Sequence, residues 1–97
     1  MLIIDKDLRI KRASRSFYLK FKLSEKEVDG QLLYDLSDGE WNIKELRRLL
    51  ERILPGKAVM EDFKVAHKKG KLHLNARKIQ IPGEDEMILL ALEFVRD

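Results

Sequence analysis

No cysteine occurs in this chain of 97 residues. Disulfides, thiolate nucleophiles and cysteine-held metals are therefore excluded, and a reducing compartment fits. Proline is scarce. Pro55 and Pro82 each precede a glycine and read as stops and turns rather than as linker. Long apolar runs are missing as well. The longest, Met87 to Leu92, is far too short to span a bilayer, and no leader pattern opens the chain. A cytoplasmic location is the expectation. Catalytic patterns are also missing: there is no Gly-rich phosphate loop, no zinc spacing and no Ser/His/Asp order. Asp35 and Asp38 lie in a turn-rich stretch, and Glu84, Asp85 and Glu86 form a polar turn. No enzyme is expected.

Charge is what the chain has in abundance. Lys and Arg number 20 against 17 Asp and Glu, a net charge of +3. The charge is unevenly placed. Leu8 to Leu23 carries Arg9, Lys11, Arg12, Arg15, Lys20 and Lys22 without an acid, and Phe63 to Gly83 carries Lys64, Lys68, Lys69, Lys71, Arg77 and Lys78 without one. Two basic blocks on one face would attract a polyanion. A small basic nucleic-acid-binding domain using Arg9, Lys11, Arg12, Lys68, Lys69 and Lys71 is thus an alternative reading. A solvated surface with local bias is the plainer one, and no strand alternates aromatic and basic residues as an RNA-reading sheet would. The length suits a single domain, 1–97, with one modest core.

The clearest local signal is a helix. Ile43, Leu46, Leu49, Leu50, Ile53 and Leu54 share one face at helical spacing, and charged residues fill the other. Asn42 is placed to cap it, with Glu45 reaching back and Trp41 stapled to Leu46. Pro55-Gly56 ends it. Such a helix needs an apolar surface to lie on.

Around it the chain reads in order. Met1 to Ser14 forms a hairpin. Ser14 caps a short helix holding Phe17, Tyr18 and Phe21, and Ser24 with Glu27 makes a capping box. Leu32 to Leu36 is a short helical piece, broken at Ser37-Asp38-Gly39. After Gly56 the period changes to two. Val59 to His67 is a strand, Lys68-Lys69-Gly70-Lys71 a tight turn, and Leu72 onwards a second strand with a bulge near Ala76 to Lys78. Met87 to Val95 is the final strand, apolar on both parities and so covered on both faces. The order β-β-α-α-α-α-β-β-β predicts an α+β fold: an antiparallel sheet with helices on one face.

Taken as an ordered set, these pieces resemble the PAS domains over essentially the whole chain. LIIDKDLRIKRAS is similar to the first two strands, SRSFYLKF to the first short helix, and LSEKEVDGQ to the turn after it. GQLLYDLSDGEWNIKELRRLLERILP, followed by MEDFKV and LNARKI, resembles the PAS subfamily of bacterial and archaeal sensor histidine kinases and chemotaxis methyltransferase/methylesterase fusions. MILLALEF resembles the last strand. The resemblance implies a five-stranded antiparallel sheet in the order 2-1-5-4-3, a cavity between sheet and helices, and a role in sensing, dimerisation or signal relay within a larger protein. Ser14 stands where the family often has Asn, and the Phe63-to-Leu74 hairpin is shorter than usual. Phe94 and Arg96 stand where the family has the Asp and Thr of a closing signal that passes the state of the sheet to an output helix. An excised or engineered scaffold of this type, without a ligand, is a further reading.

Several site expectations follow. A ligand pocket would be lined by Phe17, Tyr34, Trp41, Leu46, Leu50, Phe63, Leu74 and Asn75; the competing reading is a filled core. Ile88, Leu90, Leu92 and Phe94, with Arg77 at the rim, would form the outer-face interface of a homodimer. A histidine kinase or other output domain would be the partner within a larger protein, with no membrane contact. No cofactor is expected. A flavin adduct needs a cysteine, and haem-binding PAS domains commonly draw their ligand from the long helix, which here has no His. His67 and His73 flank one turn, but without further ligands they read as surface histidines rather than as a metal pair.

Overall fold

The computed structural model describes residues 1–95. Arg96, half of the altered closing signal, lies outside them. Strands β1 (Leu2–Ile4) and β2 (Ile10–Ala13) form the first hairpin. Asp5 tightens its turn, Oδ1 accepting from the Asp7 and Arg9 amides at 2.9 and 3.0 Å. Helix α1 (Arg15–Phe21) starts at Ser14, whose hydroxyl accepts from the Phe17 amide. Helix α2 (Glu25–Val28) starts with a complete capping box of Ser24 and Glu27. The chain then runs beside β2: the Ile10 amide donates to the Gln31 carbonyl and the Gly30 amide to that of Ile10. This covers an edge that would otherwise be open. A 3₁₀ turn (Leu33–Asp35) follows, and Ser37, Asp38 and Gly39 all take positive φ, which breaks the helical run there.

The long helix, α3, covers 44–56. It is α-helical over Lys44–Arg48, π over Leu49–Ile53, and 3₁₀ over Leu54–Gly56. The Leu54 amide reaches back five residues to the Leu49 carbonyl. The wider turn lies just before Pro55, which has no amide to donate. Leu46, Leu49, Leu50 and Leu54 are buried, while Ile43 and Ile53 are half-buried. The start differs from the expectation. Ile43, in extended conformation, is the cap residue, and no side chain caps the helix. Asn42 is drawn off because its Oδ1 accepts from Arg47 Nη1 at 3.0 Å, so neither the Glu45 box nor the Trp41 staple forms in the expected register.

Strands β3 (Val59–His67), β4 (Gly70–Ile79) and β5 (Met87–Val95) complete an antiparallel sheet in the order β2-β1-β5-β4-β3. The bulge lies in β3 rather than β4. Register shifts between Met60 and Phe63, where Asp62 takes φ 54°, and β4 pairs with β5 without interruption from Lys71↔Val95 to Ile79↔Met87. The apparent slip in β4 arises because Lys78 faces the helices, where its Nζ donates to the Pro55 carbonyl at 2.9 Å and holds the end of α3. Ile79 therefore falls on the outer face.

The register also corrects the assignment of β5. Residues paired across a sheet share a face. Leu90 pairs with Leu2 and Ala76, Leu92 with Leu74, Phe94 with Leu72, and Ile88 with Ile4. Leu2, Ile4, Leu72, Leu74, Ala76 and Leu90 are all buried, and Ile88, Leu92 and Phe94 pack against the same core. The even-numbered residues of β5 therefore face the helices. Leu89, Ala91, Glu93 and Val95 belong to the outer face.

Candidate functional site

Seven of the eight expected pocket residues meet in the layer between helices and sheet. Phe17, Tyr34, Trp41, Leu46, Leu50, Phe63 and Leu74 are all buried members of one hydrophobic cluster. Phe17 also lines a surface cleft with Met1, Lys20, Phe21 and Phe94. Asn75 is not part of the layer. It is exposed on the outer face, and its Oδ1 accepts from the Asp62 amide at 3.0 Å, so it holds the β3 bulge instead of facing a ligand. Tyr34 has a polar partner at the rim: its hydroxyl donates to Glu51 Oε2 at 3.2 Å, and Arg47 lies over its ring. Burial first, then the charge of Glu51, pushes the phenol well above its usual value.

One end of this layer is an aromatic cluster. Phe17, Phe21 and Trp41 come from the helical side, and His67 and Phe94 from β3 and β5. The Trp41 and His67 ring centroids are 4.8 Å apart; Phe21 is 5.2 Å from Trp41, 6.0 Å from His67 and 5.7 Å from Phe94. His67 is only 6% exposed and Trp41 fully buried. The Lys69 amide donates to His67 Nδ1 at 3.0 Å, which leaves the proton of the neutral ring on Nε2. Nε2 has no partner, and neither does Trp41 Nε1. Burial lowers the pKa of His67; Glu40 opposes the shift and Lys69 adds to it. The cluster continues the Phe63-Val65-His67 alternation of β3, a pattern visible in the sequence and outweighed there by the polarity of histidine.

His73 pairs with Lys64 and His67 with Gly70, in a ladder whose faces alternate. The two histidines therefore point to opposite sides of the sheet and form no pair. His67 is a core residue, not a surface one. Among the described residues no group of three or more His, Cys, Asp or Glu could hold a metal ion. The first basic block runs over β2 and α1, and the second over β3, the turn after it and β4. Within them, Arg9 donates to the Gly30 carbonyl and Lys68 pairs with Glu40 at 3.7 Å. Arg12 of the first block and Lys64, Lys71 and Arg77 of the second nevertheless lie on the same, outer face of the sheet.

The outer face of the sheet is the other candidate. It presents Ile3, Ile79, Leu89 and Val95, half-buried, and Val59 and Ala91, exposed. Arg12, Lys64, Lys71, His73, Asn75, Arg77 and Glu93 lie among and around them. Arg77 is exposed on this face, opposite Leu89, whereas Ile88, Leu90, Leu92 and Phe94 face the helices.

Two solved structures share this architecture. The PAS domain of nitrogen regulation protein NR(II) from Vibrio parahaemolyticus superposes with a TM-score of 0.63 at 23% identity, covering 97% of this chain and 86% of that one. The PAS domain of a protein from Desulfitobacterium hafniense gives 0.58 at 18% identity, covering 97% and 90%. The chain has the PAS fold. No protein-family model and no curated protein matches it. The likeness to PAS structures is therefore one of fold. No described helix is long and apolar enough to cross a membrane.

Proposed function

We propose that this PAS-fold chain is a sensory or signalling module that acts by self-association through the outer face of its sheet, without chemistry of its own. The observation that supports this reading is the apolar pair Ile3 and Leu89, neighbours across β1 and β5 on the face of the sheet opposite the helices. Charged residues flank the pair, Arg12 opposite Ile3 and Arg77 opposite Leu89, as they do around the core of a non-obligate interface. A second copy is the proposed occupant, and a histidine kinase or other output domain the proposed neighbour in a larger protein. Cytoplasmic location and the lack of a cofactor belong to the same proposal.

The test is sedimentation equilibrium of the wild type and of Leu89→Arg at tens of micromolar. A dimeric wild type and a monomeric variant with an unchanged circular dichroism spectrum are expected. A wild type that is monomeric throughout this range would sink the proposal.

A further inference from the structure

From the interface proposed above, on which this step rests, we infer that self-association is coupled to an oxyanion, which bridges arginines of the two copies on either side of the apolar centre. The register gives one row across the sheet: Arg12 on β2, Ile3 on β1, Leu89 on β5 and Arg77 on β4. Neighbouring strands lie about 4.8 Å apart, so the two arginines stand about 14 Å apart with the apolar pair between them. Both are exposed. Among the described residues no carboxylate lies within ion-pair distance of either guanidinium. Glu93 is the acid that strand pairing places on this face, opposite His73. It sits four residues along β5 from Leu89, about 13 Å away.

Symmetry decides what meets this row. A closed pair of identical copies has a two-fold axis, and for two facing sheets that axis lies in the plane between them. Aligned sheets cross at about 30°, so two placements of the axis centre the interface on Ile3 and Leu89. With the axis along the strands, Arg12 of one copy falls opposite Arg77 of the other, at both ends of the row. With the axis along the row, each arginine falls opposite its own counterpart. Either way, two pairs of like charges flank the apolar centre, and like charges brought together oppose association. Lys64 adds to the positive charge of the same face. A divalent oxyanion removes the conflict. Its charge offsets two guanidiniums, and its oxygens accept from both planar forks. Chloride is a single point charge and offers no such geometry.

The test is sedimentation equilibrium of the whole chain in chloride and in inorganic phosphate, at equal ionic strength and slightly alkaline pH, where phosphate is mainly the dianion. The wild-type dimer is expected to be about tenfold tighter or more in phosphate. A double variant, Arg12→Gln with Arg77→Gln, loses both the repulsion and the anion site. Both changes are at exposed positions, and an unchanged circular dichroism spectrum checks the fold. Its dimer should be as tight in chloride as in phosphate. Wild-type dimers of equal strength in the two buffers would overturn the inference and leave the interface standing. A phosphate effect that survives in the double variant would also overturn it, since that is general salting-out rather than a bridge between arginines. A wild type that is monomeric in both buffers would overturn the interface as well.

Discussion

His67 couples the aromatic cluster to pH. Folding buries its ring and holds Nδ1 as an acceptor for the Lys69 amide, so the folded state favours the neutral form and its pKa falls below the usual value. The sign follows from linkage. Below about pH 6.5 the unfolded chain takes up a proton that the folded chain resists, so this contribution is complete above that pH and is lost as pH falls toward the lower folded value. Urea midpoints measured at about pH 7.5 and about pH 5.5 should therefore drop for the wild type and drop less for His67→Phe, whose ring fills the same space. Equal drops in the two proteins would show that His67 is not the source. The alternation of β3 already placed His67 beside Val65 and Phe63 on one parity. Polarity alone argues for the surface, and packing against three rings, Phe21, Trp41 and Phe94, overrides it.

At the scale of elements, local signals were legible and non-local ones were not. Ser14 and Ser24 cap their helices as the sequence indicated, because each cap closes within three residues. Asn42 had the same local credentials but lost its role to Arg47, five residues on, which competes for its oxygen. The bulge is legible as a break in period, but the break shows in β4 while the bulge itself lies in β3. Its cause lies across the ladder: Asn75 in β4 accepts from the amide of Asp62 in β3, and Asp62 takes the positive φ. Asn75→Ala should cost about 1 kcal/mol in denaturant unfolding, the worth of one such hydrogen bond. An unchanged stability would mean that β3 keeps its bulge without help from β4.

At the scale of the whole molecule, β5 is the central strand, and its two parities serve two different surfaces. Both are apolar, so alternation cannot tell them apart; only the pairing with β1 and β4 does. For that reason the sequence alone points to an interface through Leu90 and Leu92, while its layers and strand order agree with the structure. The distinction gives a sharp pair of outcomes. Leu90 is fully buried between Leu2 and Ala76. Leu90→Glu puts an unpaired charge into the core, and a loss of about 3–5 kcal/mol or more is expected, a large share of what a domain of this size has to spare. Leu89→Arg, one residue away, points outward, where a surface substitution typically changes stability by about 0.5 kcal/mol or less. Thermal unfolding followed by circular dichroism separates them: the Leu90 variant should lose its cooperative transition, and the Leu89 variant should keep it near the wild-type temperature. A folded Leu90→Glu protein would mean that the register of β5 is shifted by one residue, which would exchange its two faces and move the proposed interface back to Ile88, Leu90, Leu92 and Phe94.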